Sequence, residues 1–413
     1  MKLHHLLAAA LLLAPPLALA LGGPASAQHA GHRPAAPECA SLALACATAT
    51  TPAFDRAGRL WLAYSAGGRV MLTRSDNLGR STIPPVQVSR EAAAVDDNGE
   101  ARPKVIATRA GHLLLAWTVR RDRAYNGTQL LAHSTDDGRT FSAPQRMVVE
   151  ETPTSQRFEN FAEAPDGRIW AVWLDKRRAP TERAAGNRGY TAGLAVAYSD
   201  NGGLTFTQSR LSQDNSCECC RIGLGFDAEA RPVLAWRQLF GRNFRDHAAA
   251  RLRRDGSLEA LHRIAEDNWA IDACPHHGPA MAVDGAGRWH SAWYSGGGDR
   301  QGLFYANSSN AGQRFSAPRR LGNPAQQPGH PQLLALGEKL LLIWQEFDGE
   351  KTRVLAETST DGGAHWTAPR ELAATTDAAD QPQLTSHAGA AYLSWQTRAE
   401  GWRFMPVPLG SGS

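Results

Sequence analysis

The chain has 413 residues and a formal net charge of +4, from 44 Lys+Arg against 40 Asp+Glu. Arg is dispersed along it rather than gathered into a basic tail, which argues against a nucleic-acid partner. Its 39 Gly, 24 Pro and 12 Trp, with no helical heptads, exclude a helical bundle and describe a turn-rich all-β domain.

Residues 1–27 read as a signal peptide. Lys2, His4 and His5 precede an apolar run from Leu6 to Leu21, and Ala25-Ser26-Ala27 fits the small-residue cleavage rule. Pro15, Pro16 and the shortness of the run argue against a membrane anchor. The expectation is export, to a periplasm or beyond it, with Gln28 as the new N-terminus. Residues 28–51 form an N-terminal segment that carries His29, His32, Cys39 and Cys46.

From residue 52 to 413 the chain repeats. Each unit is a short apolar strand, a Gly turn and a strand ending in Trp or Tyr. The copies are Pro52–Tyr64, Pro103–Trp117, Phe161–Trp173, Ile222–Trp236, Pro279–Trp293, Pro331–Trp344 and Pro382–Trp395. Alternating, β-rich residues between turn signals read as strands, and a period of about fifty residues matches four short strands per unit. The last unit is short of a strand, and the segment around Leu42–Thr51 is placed to supply it.

A second repeat, Ser-x-Asp/Asn-x-Gly-x-x-aromatic, runs out of phase with the first. It starts at Ser134, Ser199, Ser308 and Ser359, and a weaker copy at Ser75 has Thr82 in place of the aromatic. The Asx positions are Asn77, Asp136, Asn201, Asn310 and Asp361. In such a turn Asx bonds backbone N–H groups, Gly supplies a positive φ and the ring buries against the next strand. Arg254-Asp255-Gly256-Ser257 reads as a decayed copy.

These phrases resemble the Asp boxes, or BNR repeats, of the sialidase superfamily. The resemblance implies a β-propeller in which each box is a structural hairpin between the third and fourth strands of a blade, on the face opposite the ligand site. Seven repeats predict seven four-stranded blades, with the six of familiar sialidases as the alternative.

Six cysteines in an exported chain have two readings. Disulfides are one, with Cys39–Cys46 as the natural local pair and at least one bridge in the central group. Soft-metal ligation is the other. Ser216-Cys217-Glu218-Cys219-Cys220-Arg221 precedes the fourth inner strand, and Cys274-Pro275-His276-His277 precedes the fifth. Thiolates and imidazoles suit copper or zinc, so Cys217, Cys219, Cys220, Cys274, His276 and His277 are the candidate ligands, with His330 on the next unit.

The resemblance also implies a hydrolase reading, with three arginines gripping a carboxylate, an Asp acid and a Tyr nucleophile activated by a Glu. Candidates here are Tyr294, Asp246, Arg177, Arg242 and Arg245, with Arg102 as a remnant of the family's start motif and Glu346 or Glu218 as the Tyr partner. A third reading is a non-catalytic module that recognises a glycan or a protein. Together these features predict a monomeric, exported propeller that binds a small-molecule, metal or glycan ligand on its Cys/His/Arg face.

Overall fold

The computed structural model describes residues 41–122, 126–148, 154–187, 189–241, 243–298 and 300–410. The signal peptide, the His29/His32 pair, Cys39 and Arg242 lie outside the described residues. The structure is all-β, apart from one short helix, α1 (Ala179–Ala184), and two 3-10 turns.

The described strands form antiparallel meanders in chain order. The first is β1 (Thr50–Phe54), β2 (Leu60–Ala66), β3 (Arg69–Ser75) and β4 (Val86–Gln87), and the second is β5 (Lys104–Ala107), β6 (Leu113–Arg120), β7 (Gly127–Ser134) and β8 (Gln145–Arg146). The third is β9 (Gln156–Glu163), β10 (Ile169–Asp175), β11 (Ala192–Ser199) and β12 (Arg210–Ser216). The fourth is β13 (Gly223–Phe226), β14 (Pro232–Phe240), β15 (Phe244–Arg251) and β16 (His262–Arg263). One pair, Ser216 with Gln238, joins the third and fourth into an eight-stranded sheet.

The fifth meander is β17 (Ala280–Val283), β18 (Trp289–Gly297), β19 (Arg300–Ser308) and β20 (Arg319–Leu321). The sixth is β21 (Gly329–Leu336), β22 (Lys339–Phe347), β23 (Thr352–Ser359) and β24 (Arg370–Thr375). The last has three strands, β25 (Gln383–His387), β26 (Ala390–Thr397) and β27 (Gly401–Val407). The segment before β1 does not complete it. Leu44–Cys46 is instead a 3-10 turn, and Tyr64 donates its hydroxyl to Leu42 O at 2.8 Å. First strands of successive meanders lie side by side, and β25 lies beside β1.

The sequence repeat is the first and second strand of each meander. Its closing aromatics, Tyr64, Trp117, Trp173, Trp236, Trp293, Trp344 and Trp395, are all at most 1 % exposed. Each buries on the order of 200 Å², the largest hydrophobic contribution available to a side chain. The residue two places on takes the indole N–H in three cases: Asp175 Oδ2 at 2.9 Å, Gln238 Oε1 at 2.8 Å and Glu346 Oε1 at 3.0 Å. An indole buried without an acceptor would lose the benefit of its burial.

All five Asp-box phrases are turns leaving a third strand. In each, the Ser hydroxyl accepts from the Gly N–H at 2.8–3.0 Å. The Asx oxygen accepts from the backbone N–H four residues on, at 2.9–3.0 Å. Ser257 N–H donates to Asp255 Oδ1 at 2.9 Å in the same place after β15, so the decayed copy keeps its turn. First and third strands run parallel within a meander, so these turns lie at the end opposite the segments that lead into first strands.

Candidate functional site

The lead-in segments of several meanders converge on Glu100, which is 1 % exposed. Its carboxylate accepts from Arg221 N at 3.0 Å, from Gly278 N at 2.8 Å and from the Arg221 guanidinium, with His330 Nδ1 at 3.5 Å. These four residues precede or open β5, β13, β17 and β21. Burial works to raise the Glu100 carboxyl, but the charges of Arg221 and His330 and the N–H donors outweigh it and hold it well below the carboxylate range. Neither Glu100 nor Arg221 was among the predicted site residues. Their position immediately before an inner strand is the signal that would have found them.

Beside this hub lies the sulfur cluster. Residues 217–222 are the short link between β12 and β13, so Cys217, Cys219 and Cys220 share one turn. Their Sγ atoms all lie within 4.8 Å of one another, with Cys217 and Cys219 at 3.5 Å, and the three residues are 1 %, 1 % and 2 % exposed. Cys274, half-buried on the segment before β17, packs against the buried cluster that contains these three thiols. The four are free thiols, so the expected central disulfide is not formed, whereas Cys46 is disulfide-bonded.

Charge is distributed unevenly in the cluster. Hydrogen bonds from Cys219 and Cys220, with Arg237 and Arg245 close by, hold the Cys217 thiol well below its ordinary range, and burial pushes Cys220 up to about 11. Arg245 Nη1 lies 3.5 Å from Cys217 Sγ and donates to Ala273 O at 3.1 Å. Arg245 therefore joins the thiol turn to the segment that carries Cys274. Three buried sulfurs beside two guanidiniums suit a soft cation, which the thiols would bind by giving up their protons.

The predicted histidine ligands go elsewhere. His277 stacks between Tyr294, at 4.3 Å and 24°, and His330, at 4.7 Å and 21°. Parallel rings send their in-plane lone pairs side by side, so this pair does not converge on one ion. His276 sits 6.1 Å from the Phe158 ring. Among the described residues the metal-capable group is the three thiols alone. His276 and His277 each keep a buried Nδ1 without a hydrogen-bond partner. Burial first, then His330, depresses the His277 pKa well below 6.5, so this imidazole is neutral at pH 7.

Two backbone irregularities aim side chains into the same region. His330 (φ +53°) falls in a bulge of β21, and Phe158 (φ +59°) falls in one of β9. A positive φ at such residues is costly and is held only by surrounding structure.

The hydrolase candidates are spread over structural roles. Asp246, 1 % exposed, accepts from Arg263 Nε at 2.8 Å, Asn268 N at 2.9 Å and Trp269 N at 3.0 Å, which leaves no acid for a substrate. Arg177 is paired with Asp175 at 2.6 Å and Arg102 with Asp380 at 2.7 Å, and Arg245 faces the thiols. Tyr294 packs on His277 and Trp269, while Glu346 accepts from Trp344 and Asn323 and Glu218 pairs with Lys176. Neither carboxylate is set against the Tyr ring. The carboxylate-gripping trio predicted from sequence is not assembled among the described residues.

No family model and no curated protein matches the chain. Solved structures do. An ulvan lyase, described as a polysaccharide lyase of a new family, is similar at 10% identity, with TM-score 0.56 over 86% of this chain and 91% of that one. An α-L-arabinofuranosidase from Fusarium graminearum is similar at 12% identity, with TM-score 0.50 over 75% and 92%. A Hadza microbial sialidase is 17% identical, with TM-score 0.46 over 85% and 73%. At these identities the likeness concerns the fold: several small antiparallel sheets of the β-propeller kind.

Proposed function

We propose that this protein is an exported, seven-bladed, sialidase-like β-propeller that binds a ligand where its inner strands begin, and that the thiol cluster there is a soft-metal site for Cu(I) or zinc. The observation that carries the reading is the approach of the Cys217, Cys219 and Cys220 sulfurs to within 4.8 Å of one another on a buried turn. The three thiolates would hold Cu(I), and Cys274, packed against them, would offer a fourth sulfur to zinc. The buried Arg237 and Arg245 offset the thiolate charge. No electron transfer is required, and each ligating Cys gives up its proton on binding.

The test is competition for Cu(I) against bicinchoninate with the full, reduced protein. One ion per chain is expected, with protons released. Cys217→Ser or Cys219→Ser lowers affinity by at least about tenfold, and His277→Ala leaves it unchanged. Failure of folded, reduced protein to take up Cu(I) or zinc would remove the metal reading.

A second reading, recognition or processing of a glycan at the same mouth, is favoured by the Tyr294–His277–His330 column. Rings of this kind offer stacking faces to sugars, and a neutral imidazole can move a proton. The ulvan lyase and the arabinofuranosidase that share the fold act on glycans by their names. Titration with neutral and acidic oligosaccharides, monitored by isothermal calorimetry, tests it. No binding heat with either class counts against it.

A further inference from the structure

We infer that Cys274 is the exchange ligand of the thiol site: the sulfur through which a soft ion passes between an outside carrier with soft donor atoms and the three buried thiols. This rests on the soft-metal reading and adds a route and a class of partner to it.

Burial makes the first part of the argument. Cys217, Cys219 and Cys220 are at most 2 % exposed, so an incoming donor cannot reach them while the ion is held on a carrier. Cys274 is the one half-buried free thiol among the described residues, and it packs against the buried cluster that contains Cys217, Cys219 and Cys220. A path from solvent to the cluster therefore meets sulfur at Cys274, then at the three buried thiols.

Placement makes the second part. Three thiols lie on one short turn between β12 and β13, while Cys274 lies on a different segment, between β16 and β17. That segment is latched by side chains of the β14–β15 hairpin. Asn243 Nδ2 donates to Ile271 O at 3.1 Å and to Asp272 Oδ1 at 2.8 Å, and Arg245 Nη1 donates to Ala273 O at 3.1 Å while lying 3.5 Å from Cys217 Sγ. Formation of a metal–thiolate bond at Cys217 changes what the guanidinium faces, so occupancy of the buried set is felt at the Cys274 segment. Cys274 is thereby positioned to approach or leave the ion while the other three stay fixed.

The transfer is ligand exchange without change of oxidation state. Cys274 Sγ forms a bond to the ion as one carrier–ion bond breaks. The ion then gains Cys219, Cys217 and Cys220 as the remaining carrier bonds break, and the thiol protons go to water. The partner this fits is a carrier that presents Cu(I) on thiolate, thioether or imidazole donors and can surrender them one at a time.

The probe is the coloured Cu(I)–bicinchoninate complex mixed with full, reduced protein in a stopped-flow cell. For Cys274→Ser the rate of transfer is expected to fall at least about tenfold, with equilibrium affinity reduced by less than that factor. For Cys219→Ser affinity is expected to fall at least as much as rate. Because a variant can misfold, thermal melts accompany each. As an independent measurement, brief iodoacetamide treatment of the unsubstituted protein should alkylate Cys274 first and slow transfer equally. A wild-type transfer rate in folded Cys274→Ser, or first labelling at Cys217, Cys219 or Cys220, overturns the inference and leaves the site itself standing. No uptake by the unsubstituted protein overturns both.

Discussion

The Arg102 guanidinium grips the Asp380 carboxylate with both arms, Nη1 to Oδ2 at 2.7 Å and Nη2 to Oδ1 at 2.8 Å, across 278 residues of chain. The side chains are 0 % and 2 % exposed. Arg102 Nη1 also donates to Thr50 O at 3.0 Å, and Thr50 N donates to Asp380 Oδ2 at 3.1 Å, so β1 and the lead-in segments of β5 and β25 meet in one knot. Arg102→Ala strands a buried carboxylate and is expected to cost about 3–5 kcal/mol. Urea unfolding measures it, and a midpoint equal to that of the unsubstituted protein would show that the knot is not needed to hold the ends together.

The Asp boxes stabilise turns away from the site. Ser359, 2 % exposed, accepts from Gly363 N at 2.9 Å and donates to Asp361 Oδ1 at 2.8 Å. Ser359→Ala leaves the buried Gly363 N–H unpaired, with an expected loss of about 1–3 kcal/mol. Asp361→Ala is expected to lower Tm. Neither substitution should change Cu(I) uptake, and a folded variant that lost it would contradict the separation of the two faces.

Acid should weaken the fold before its carboxylates titrate. His247 and His290 are 1 % and 0 % exposed, and burial is the largest cause of their depressed pKa values. Between those values and 6.5, the unfolded chain binds more protons than the folded one, so stability rises with pH up to about 6.5 and is lost as pH falls below it. Each group contributes a slope of about 1.4 kcal/mol per pH unit in that window. Both His247 ring nitrogens lack partners, so His247→Leu should remove its share of the slope at no hydrogen-bond cost. Unfolding free energies at pH 7 and pH 5.5 compare the two proteins, and identical slopes would refute the assignment.

Sialidase turnover is not expected. The protein should release no appreciable 4-methylumbelliferone from its sialic acid conjugate, because Asp246 is saturated by N–H donors and Arg177 is paired. Turnover abolished by Tyr294→Phe in a folded protein would reverse this reading.

Local chemistry made much of the fold legible in the sequence. Alternating apolar residues, Gly turns and closing Trp residues gave the strand pairs, and Ser-x-Asx-x-Gly fixed the turns after third strands. Those signals depend on neighbours within a dozen residues, and a single chain displays them. The thiol turn was legible for the same reason, since Cys217, Cys219 and Cys220 are adjacent in the chain. The partners of those groups were not. Glu100 meets Arg221 across 121 residues, and Arg245 reaches Cys217 across 28. Whether His277 faces a thiol or stacks on Tyr294, and whether Arg102 holds a ligand or Asp380, depends on how separate meanders pack side by side. Burial then decides which charges must be paired within the protein, and only the tertiary structure sets that burial.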